Sequence, residues 1–305
     1  MDWLTRPMAE LAVYEWEELF GEWFFYLSLA FLAFELLRYV LIKKMNWTLA
    51  GDTAANFVTQ AMFLLLTYGM FGALYISAYS YFHQFAVFDI GVSWATVLLC
   101  VVAADLAYYW EHRFTHRVGI AWATHTVHHS SPFFNISVAY RFGPLDGLWP
   151  IFFHLPLVLI GFNPFVVFFS ETFVQLYQTV LHTEVIKKLP RPIEYVMNTP
   201  SHHRVHHGAN DKYIDKNYAG IFIIWDRMFG TFAEETEKVV YGITKPVDSV
   251  NPFTIFFHGL VRIGRQVVDA QGLGNKLAVL VKPPGRQAAR RHSADRARIN
   301  SGANV

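Results

Sequence analysis

The chain has 305 residues, of which 53% are hydrophobic, 17% aromatic and only 16% charged. Globular soluble domains carry about 25% charged residues, so this composition excludes an ordinary soluble domain and points to a bilayer. A formal net charge of +1 gives no ground for a nucleic-acid partner, and a single cysteine, Cys100, excludes a disulfide framework.

Residues 1–22 form an N-terminal segment bearing Glu15, Glu17, Glu18 and Glu22. It has neither the short apolar core nor the small-residue cleavage site of a secretory signal. Residues 23–42, 57–80 and 88–110 follow as apolar runs near or above the ~20 residues that cross a bilayer as a helix. The first carries Glu35 and Arg38 near one end, and the third holds Cys100 in a core role. The run 148–181 is too long for one crossing and is broken by Gly161, Asn163 and Pro164. It is read as two helices that enter and return on one side. From about 182 to 260 the composition turns polar, which predicts a compact cap. The tail, 282–305, sets six Lys and Arg residues from Lys282 to Arg298 against Asp295. It is expected to be disordered, either resting on anionic headgroups or merely solvating.

The predicted fold is therefore all-α: a multi-pass membrane helical bundle of three crossings plus a helical hairpin, spanning 23–281, with a histidine-rich cap. Lys and Arg gather on the cytoplasmic side of short loops. Arg38, Lys43 and Lys44 follow the first segment, whereas residues 81–87 hold no Lys or Arg, which places the amino terminus outside and the cap in the cytoplasm. By the same count every histidine group reaches the cytoplasmic face.

Those groups carry the chemistry. Nine of fourteen histidines lie in three tight clusters, His112-Arg-Phe-Thr-His116, His125-Thr-Val-His128-His129 and His202-His203-Arg-Val-His206-His207, and His182 follows the hairpin. Spacings of i, i+3 and i+4 stack imidazoles on one helical face, so each cluster is expected to present its ligands to a single point. A lone histidine is usually a packed core residue, and a histidine-rich tract can be an exposed scavenger. Discrete clusters behind apolar segments fit neither. So many nitrogens are about double what one four- to six-coordinate ion accepts, which predicts one dinuclear centre with open positions. Either His202 or His203 can begin the last set; the x2 spacing of His125 and His128 favours His203.

Imidazole suits iron, zinc, copper and nickel alike. Ions placed where membrane helices end suit a lipid whose reacting carbon reaches the metal while its chain stays in hydrocarbon. Iron supplies the redox chemistry with O2 for an unactivated C–H bond; a zinc pair would imply hydrolysis instead. The lack of carboxylates in the clusters separates them from Glu and Glu-x-x-His di-iron bundles. A membrane metal transporter is a rival of another class, but transport calls for ligands near the bilayer midplane.

The pattern HxxxH, HxxHH and a final HxxHH in a four-segment membrane protein resembles the fatty acid hydroxylase / sterol desaturase superfamily of di-iron membrane oxygenases. The resemblance is nearest to its ether-lipid-cleaving, alkylglycerol-oxidising branch. It runs through Tyr108-Tyr-Trp, His125-Thr-Val-His-His-Ser-Ser131, His182-Thr-Glu-Val185, Asn198-Thr-Pro-Ser-His-His-Arg-Val-His-His-Gly208, Asp215-Lys-Asn-Tyr-Ala-Gly220 and Ile224-Trp-Asp-Arg227, roughly half the chain. It implies iron, two ions per chain, held by His112, His116, His125, His128, His129, His182, His203, His206 and His207. It implies O2 and a lipid substrate, with a tetrahydropterin as electron donor and oxidation of the carbon beside an ether oxygen to yield aldehyde and a glycerol derivative. The alternative within the superfamily is hydroxylation or desaturation of a sterol, carotenoid or fatty acyl chain with electrons from a redox protein. Where family members commonly place glutamate after HxxxH, this chain has Arg117.

A ligating imidazole usually donates its other N–H to an acceptor. Asp105, two helical turns before His112, is the first expected partner, and a packing role is the alternative. Asn135, Asn198, Asp215, Asn217 and Asp226 are further candidates that also suit caps and turns. His154, in the hairpin, either touches substrate or is a packed, hydrogen-bonded histidine.

Overall fold

A computed structural model describes residues 10–284 apart from 68, 70 and 71. Most of the predicted tail, from 285 onward, and residues 1–9 lie outside the described residues. Among the described residues the chain is helical, with one isolated antiparallel bridge between Gly208 and Tyr241.

The membrane part comprises α1 (Glu10–Leu41), α2 (Trp47–Leu66), α3 (Gly72–His83), α4 (Trp94–Arg117), α6 (Trp149–Ile160) and α7 (Pro164–Thr179), with α5 (Gly119–His125) between α4 and α6. Three stretches, Leu19–Leu41, Trp47–Leu66 and Trp94–Arg117, are long and apolar enough to cross a membrane, which makes this an integral membrane protein. Leu27, Leu41, Leu65 and Leu99 turn outward, as expected for chains that face lipid rather than water.

Helix limits differ from the hydropathy reading for local reasons. The boundary expected at residue 22 falls inside α1, which is continuous through it. The second segment, expected at 57–80, begins at Trp47 because Asn46 caps it, its side chain accepting from Leu49 N at 2.9 Å. Asp52, Thr53 and Asn56 are buried, Asp52 and Asn56 both accepting from Arg141, so a hydropathy window discounts a turn that is helical. Between Leu66 and α3, Thr67 and Gly69 have π-helical backbone. The third begins later than residue 88, at a capping box formed by Ser93 and Thr96, and runs seven residues further to include His112 and His116.

The hairpin is as predicted. Helices α6 and α7, 12 and 16 residues long, measure about 18 and 24 Å, short of the ~30 Å hydrocarbon core. They turn at Gly161, whose φ is +129° and where a Cβ would lie 2.1 Å from Phe88 O. Val87 N and Phe88 N donate to Leu159 O and Ile160 O, tying the hairpin tip to the connection before α4. The core between α3, α4, α6 and α7 includes Tyr79, Cys100, Val158 and Val167. The histidines sit at the other end of these helices.

The cap comprises α8 (Arg191–Val196), α9 (Pro200–His206), α10 (Ile224–Phe229), α11 (Pro252–Asp269) and α12 (Leu273–Val281). The carboxy-terminal end of α1 is anchored to the turns that follow α5 and α7. Glu35 accepts from Ile136 N at 2.8 Å and from Thr183 Oγ1 at 2.6 Å, so the basic end of α1 lies on the histidine side.

Candidate metal centre

Helix geometry decides which imidazoles meet. Residues four apart differ by about 40° around a helix, while the residue at i+3 lies on the other flank. His112 and His116 share one face of α4, and His125 and His129 repeat that spacing across α5 and the following turn. These four and His206 form a group whose ligand atoms all lie within 4.8 Å of one another. His203 and His207 make the i, i+4 pair of α9, and with His128 and His182 they form a second group of the same closeness. Each HxxHH motif thus sends its outer pair to one group and its middle histidine to the other. This corrects the expectation that a cluster addresses a single point. The groups adjoin: the rings of His129 and His207 stack at 4.4 Å, and those of His128 and His129 lie 5.3 Å apart.

Nitrogen spacing matches an ion's coordination edge. The Nε2 atoms of His112 and His125 are 3.2 Å apart, those of His129 and His206 3.1 Å, and those of His182 and His203 3.0 Å. With metal–nitrogen bonds of about 2.1 Å, neighbouring ligands at octahedral to tetrahedral angles stand about 3.0 to 3.4 Å apart. The second ring nitrogen is used as a ligating histidine uses it. Nδ1 of His112 donates to Tyr218 O at 2.8 Å, of His182 to Gln178 O at 2.9 Å, of His206 to Lys216 O at 3.0 Å and of His128 to Arg141 O at 3.2 Å. That tautomer leaves the Nε2 lone pair facing the group. Nε2 of His116 and of His207, both buried, have no hydrogen-bond partner in the protein. Burial, and then the neighbouring imidazoles, push His128, His129, His203 and His207 well below the usual histidine range. Burial likewise pulls His182 down to about 4 and His206 to about 3, against the lift of their carbonyl partners. The rings stay neutral, the form that binds a cation. The donor set, nitrogen throughout, fits two adjacent transition-metal ions.

His202 is not brought to either group. Its Nε2 lies 3.0 Å from Glu194 Oε2, turned away from His203. Burial alone would raise Glu194, yet the His202 hydrogen bond and the amide of Leu189 hold it down to about 2. A depressed carboxylate adds stability above its ordinary value near 4.5 and loses it as pH falls toward about 2. His202→Ala is expected to keep the bound metal and to cost about 1–2 kcal/mol at neutral pH, screened because Glu194 is partly exposed. Metal analysis beside a melting curve checks it.

Asp105 and Asn135, expected beside the imidazoles, do other work. Asp105 is fully buried and accepts from Ile221 N at 2.6 Å, Trp225 Nε1 at 2.8 Å and Phe222 N at 3.0 Å. Its effect on the site is indirect. With Asp226, which accepts from Tyr218 N and Ala219 N, it fixes the strap whose Tyr218 carbonyl orients His112. A Cβ at Gly220 would meet Asp105 Oδ1 at 2.5 Å. Gly220→Ala is therefore expected to lose about 1–3 kcal/mol in thermal unfolding by overpacking this strap. Asn135 caps the turn Ile136–Tyr140, its Oδ1 accepting from Ser137 N at 3.0 Å. Asp215 faces His116 Nδ1 at 3.9 Å and accepts from Arg117 Nη1 at 2.7 Å, while Asn198 and Asn217 donate to backbone carbonyls.

Hydropathy and motif reading missed three polar groups. Arg141, 1% exposed, donates through Nη1 to Asp52 and Asn56, each at 2.8 Å, and through Nε to Ser130 Oγ at 3.0 Å. It braces the turn that carries His128 and His129. Asp146 faces His125 Nδ1 at 3.5 Å. Glu35 holds α1 to the turns that follow α5 and α7. Asp52 and Glu35 were detectable as ionisable residues inside apolar segments, which rarely lack a partner.

A cavity of about 810 Å³ opens from the histidines into the membrane helices. His112 and His125 of one group and His128 and His182 of the other line it, with Phe25, Phe63, Leu64 and Phe168 along its length.

Residues 97–231 match the fatty acid hydroxylase family model. Over 187 residues the chain is 46% identical to alkylglycerol monooxygenase of Danio rerio, covering 61% of this chain and 42% of that protein. Over 251 residues it is 40% identical to the alkylglycerol monooxygenase of Homo sapiens, covering 79% and 55%. Human lathosterol oxidase is 25% identical over 205 residues, covering 65% and 63%. The chain spans about half the length of the alkylglycerol monooxygenases it matches. No solved structure matches the chain. Residues 97–231, which hold all nine converging histidines, are the part of the chain that matches as a fatty acid hydroxylase domain.

Proposed function

We propose that the chain is a membrane-bound di-iron monooxygenase that hydroxylates a lipid C–H bond with O2, acting on the carbon beside the ether oxygen of an alkylglycerol. The carrying observation is that two adjoining all-histidine groups open onto an apolar cavity between membrane helices. The di-iron domain would run from within α1 to residue 281, with the segment after α7 as its cap. One ion would be held by His112, His116, His125, His129 and His206, the other by His128, His182, His203 and His207. Iron bound there would supply the electrons that activate O2, with a tetrahydropterin or a redox protein restoring them.

The protein's own contribution is placement and exclusion. The carbonyls of Tyr218, Arg141, Gln178 and Lys216 fix the rings before any ion arrives, so little reorganisation accompanies binding. Phe25, Phe63 and Leu64 take an alkyl chain and keep bulk water from the reacting carbon. The hydroxylated carbon is then a hemiacetal, which collapses to a fatty aldehyde and a glycerol derivative. Arg38, Lys43 and Lys44 lie at the histidine end of α1, which favours a cytoplasmic site.

Histidines at the ends of α4 and α7 rather than along a midplane path disfavour metal transport. Kinship with lathosterol oxidase keeps a second reading open, hydroxylation or desaturation of a sterol or acyl chain. Anaerobically purified protein should hold about two irons per chain and release aldehyde from labelled alkylglycerol when tetrahydropterin is added. Zinc in place of iron, or turnover of sterol alone, would overturn the ether-lipid assignment.

A further inference from the structure

The cavity contains polar groups that the histidine centre does not use. Glu111 on α4 is 6% exposed and lines the cavity, and its Oε2 has no hydrogen-bond partner in the protein. Beside it, His154 of α6 lies 3.6 Å from Glu111 Oε2 and 3.8 Å from Glu171 Oε1 of α7. Both distances exceed a hydrogen bond, and the nearer neighbours of the His154 ring nitrogens are carbonyls, Pro150 O at 3.1 Å from Nδ1 and Ala104 O at 3.3 Å from Nε2. Tyr79 of α3 donates to Glu171 Oε1 at 2.5 Å, fixing that side chain in the wall.

Two carboxyl groups inside a membrane-embedded cavity, one with a buried oxygen short of a donor, are costly unless something donates to them. No third metal is indicated, since among the described residues the ligand groups contain only histidine. A ligand that reaches the cavity carrying hydroxyl or amine hydrogens would supply the donor. The rest of the cavity says which. Phe142 stacks on Phe63 at 4.8 Å and lies 6.0 Å from the His128 ring, opening an apolar arm beside one histidine group. Glu111 immediately precedes His112 of the other group on α4. A ligand with an alkyl chain in the apolar arm and hydroxyls at Glu111 holds its intervening carbons beside the histidines.

We propose that Glu111 and Glu171, on either side of His154, form a hydroxyl-binding subsite that takes the free polyol end of the lipid substrate within the membrane cavity. This rests on the lipid-oxidising reading above and adds the substrate feature that this site selects. Substrate hydroxyls donate to the Glu111 and Glu171 carboxyl oxygens, which sets the chain's direction and places the carbon between diol and alkyl chain at the metal centre. A lipid whose hydroxyls are all capped lacks the donors and leaves Glu111 Oε2 unsatisfied.

The test uses the full metal-loaded chain in nanodiscs and measures dissociation constants under anaerobic conditions. The ligands are 1-O-hexadecylglycerol, its 2,3-di-O-methyl ether and hexadecane-1,2-diol. Wild type is expected to bind the two free diols about tenfold or more tighter than the dimethyl ether. Glu111→Leu and Glu171→Leu are expected to bring that ratio close to one, chiefly by weakening the diols. Glu111→Gln, which keeps volume and one acceptor, guards against misfolding and is expected to fall between. An unchanged ratio in the variants, or equal weakening of all three ligands, overturns the subsite. Hexadecane-1,2-diol has no ether to cleave, so its binding reads the subsite separately from turnover. Selective diol binding without aldehyde release from the alkylglycerol would refute ether cleavage and leave the subsite standing.

Discussion

His128→Ala is expected to remove about one metal ion per chain and to take lipid oxidation to the detection limit, while the protein still inserts in the membrane. His128 belongs to the smaller group, in which only His182, His203 and His207 would remain, and no carboxylate stands within that group to replace it. Three neutral imidazoles bind an ion far more weakly than four, and a pair of ions that must act together fails when either is lost. The equivalent loss from the other group is milder in metal content, because five histidines become four. His125→Ala should therefore retain more metal than His128→Ala. Insertion survives because the apolar faces of α1, α2 and α4 hold the helices in the bilayer, independently of the ions. Metal quantification on anaerobic preparations, with carbonate extraction of membranes, checks both halves. Full metal content in His128→Ala would remove it from the ligand set.

Asp52→Ala is expected to be the most destabilising single change outside the histidines, at about 3–5 kcal/mol. Burial pushes the Arg141 guanidinium below its usual range while Asp52 holds it up. Removing Asp52 leaves a cation 1% exposed with only neutral acceptors, Asn56, Ser130 and the Val127 carbonyl. The damage spreads to the site, because Arg141 braces the turn holding His128 and its own carbonyl accepts from His128 Nδ1. The double substitution Asp52→Leu with Arg141→Met should recover much of the loss, since an apolar pair avoids desolvating two charges. Melting temperature in detergent, measured for both singles and the double, tests this coupling. Additive losses would show that the ion pair is not what holds the turn.

The sequence by itself determined the class of the molecule and singled out the clusters that supply the nine converging histidines. Apolar run lengths reveal membrane helices because hydrocarbon demands about 20 apolar residues per crossing. Gly161, Asn163 and Pro164 reveal the hairpin because they break a helix locally. Histidine spacing reveals ligand faces because helical periodicity is a local property.

Tertiary structure decided the rest. Which histidines come together depends on where α4, α5, α7 and α9 cross, so His206 joins His112 across more than ninety residues while its neighbour His207 joins His182. No spacing rule contains that. His202 and Asp105 sit at ligand-like positions in the sequence, and only their neighbours, Glu194 for one and the 221–225 turn for the other, turn them away. The start of α2 escaped hydropathy because Asp52 and Asn56 are matched by Arg141, a residue nearly ninety positions away. The physical reason is common to all of these cases. Helix formation and membrane partition depend on near neighbours in the chain, whereas coordination and buried charge pairing depend on contacts between residues that folding alone brings together.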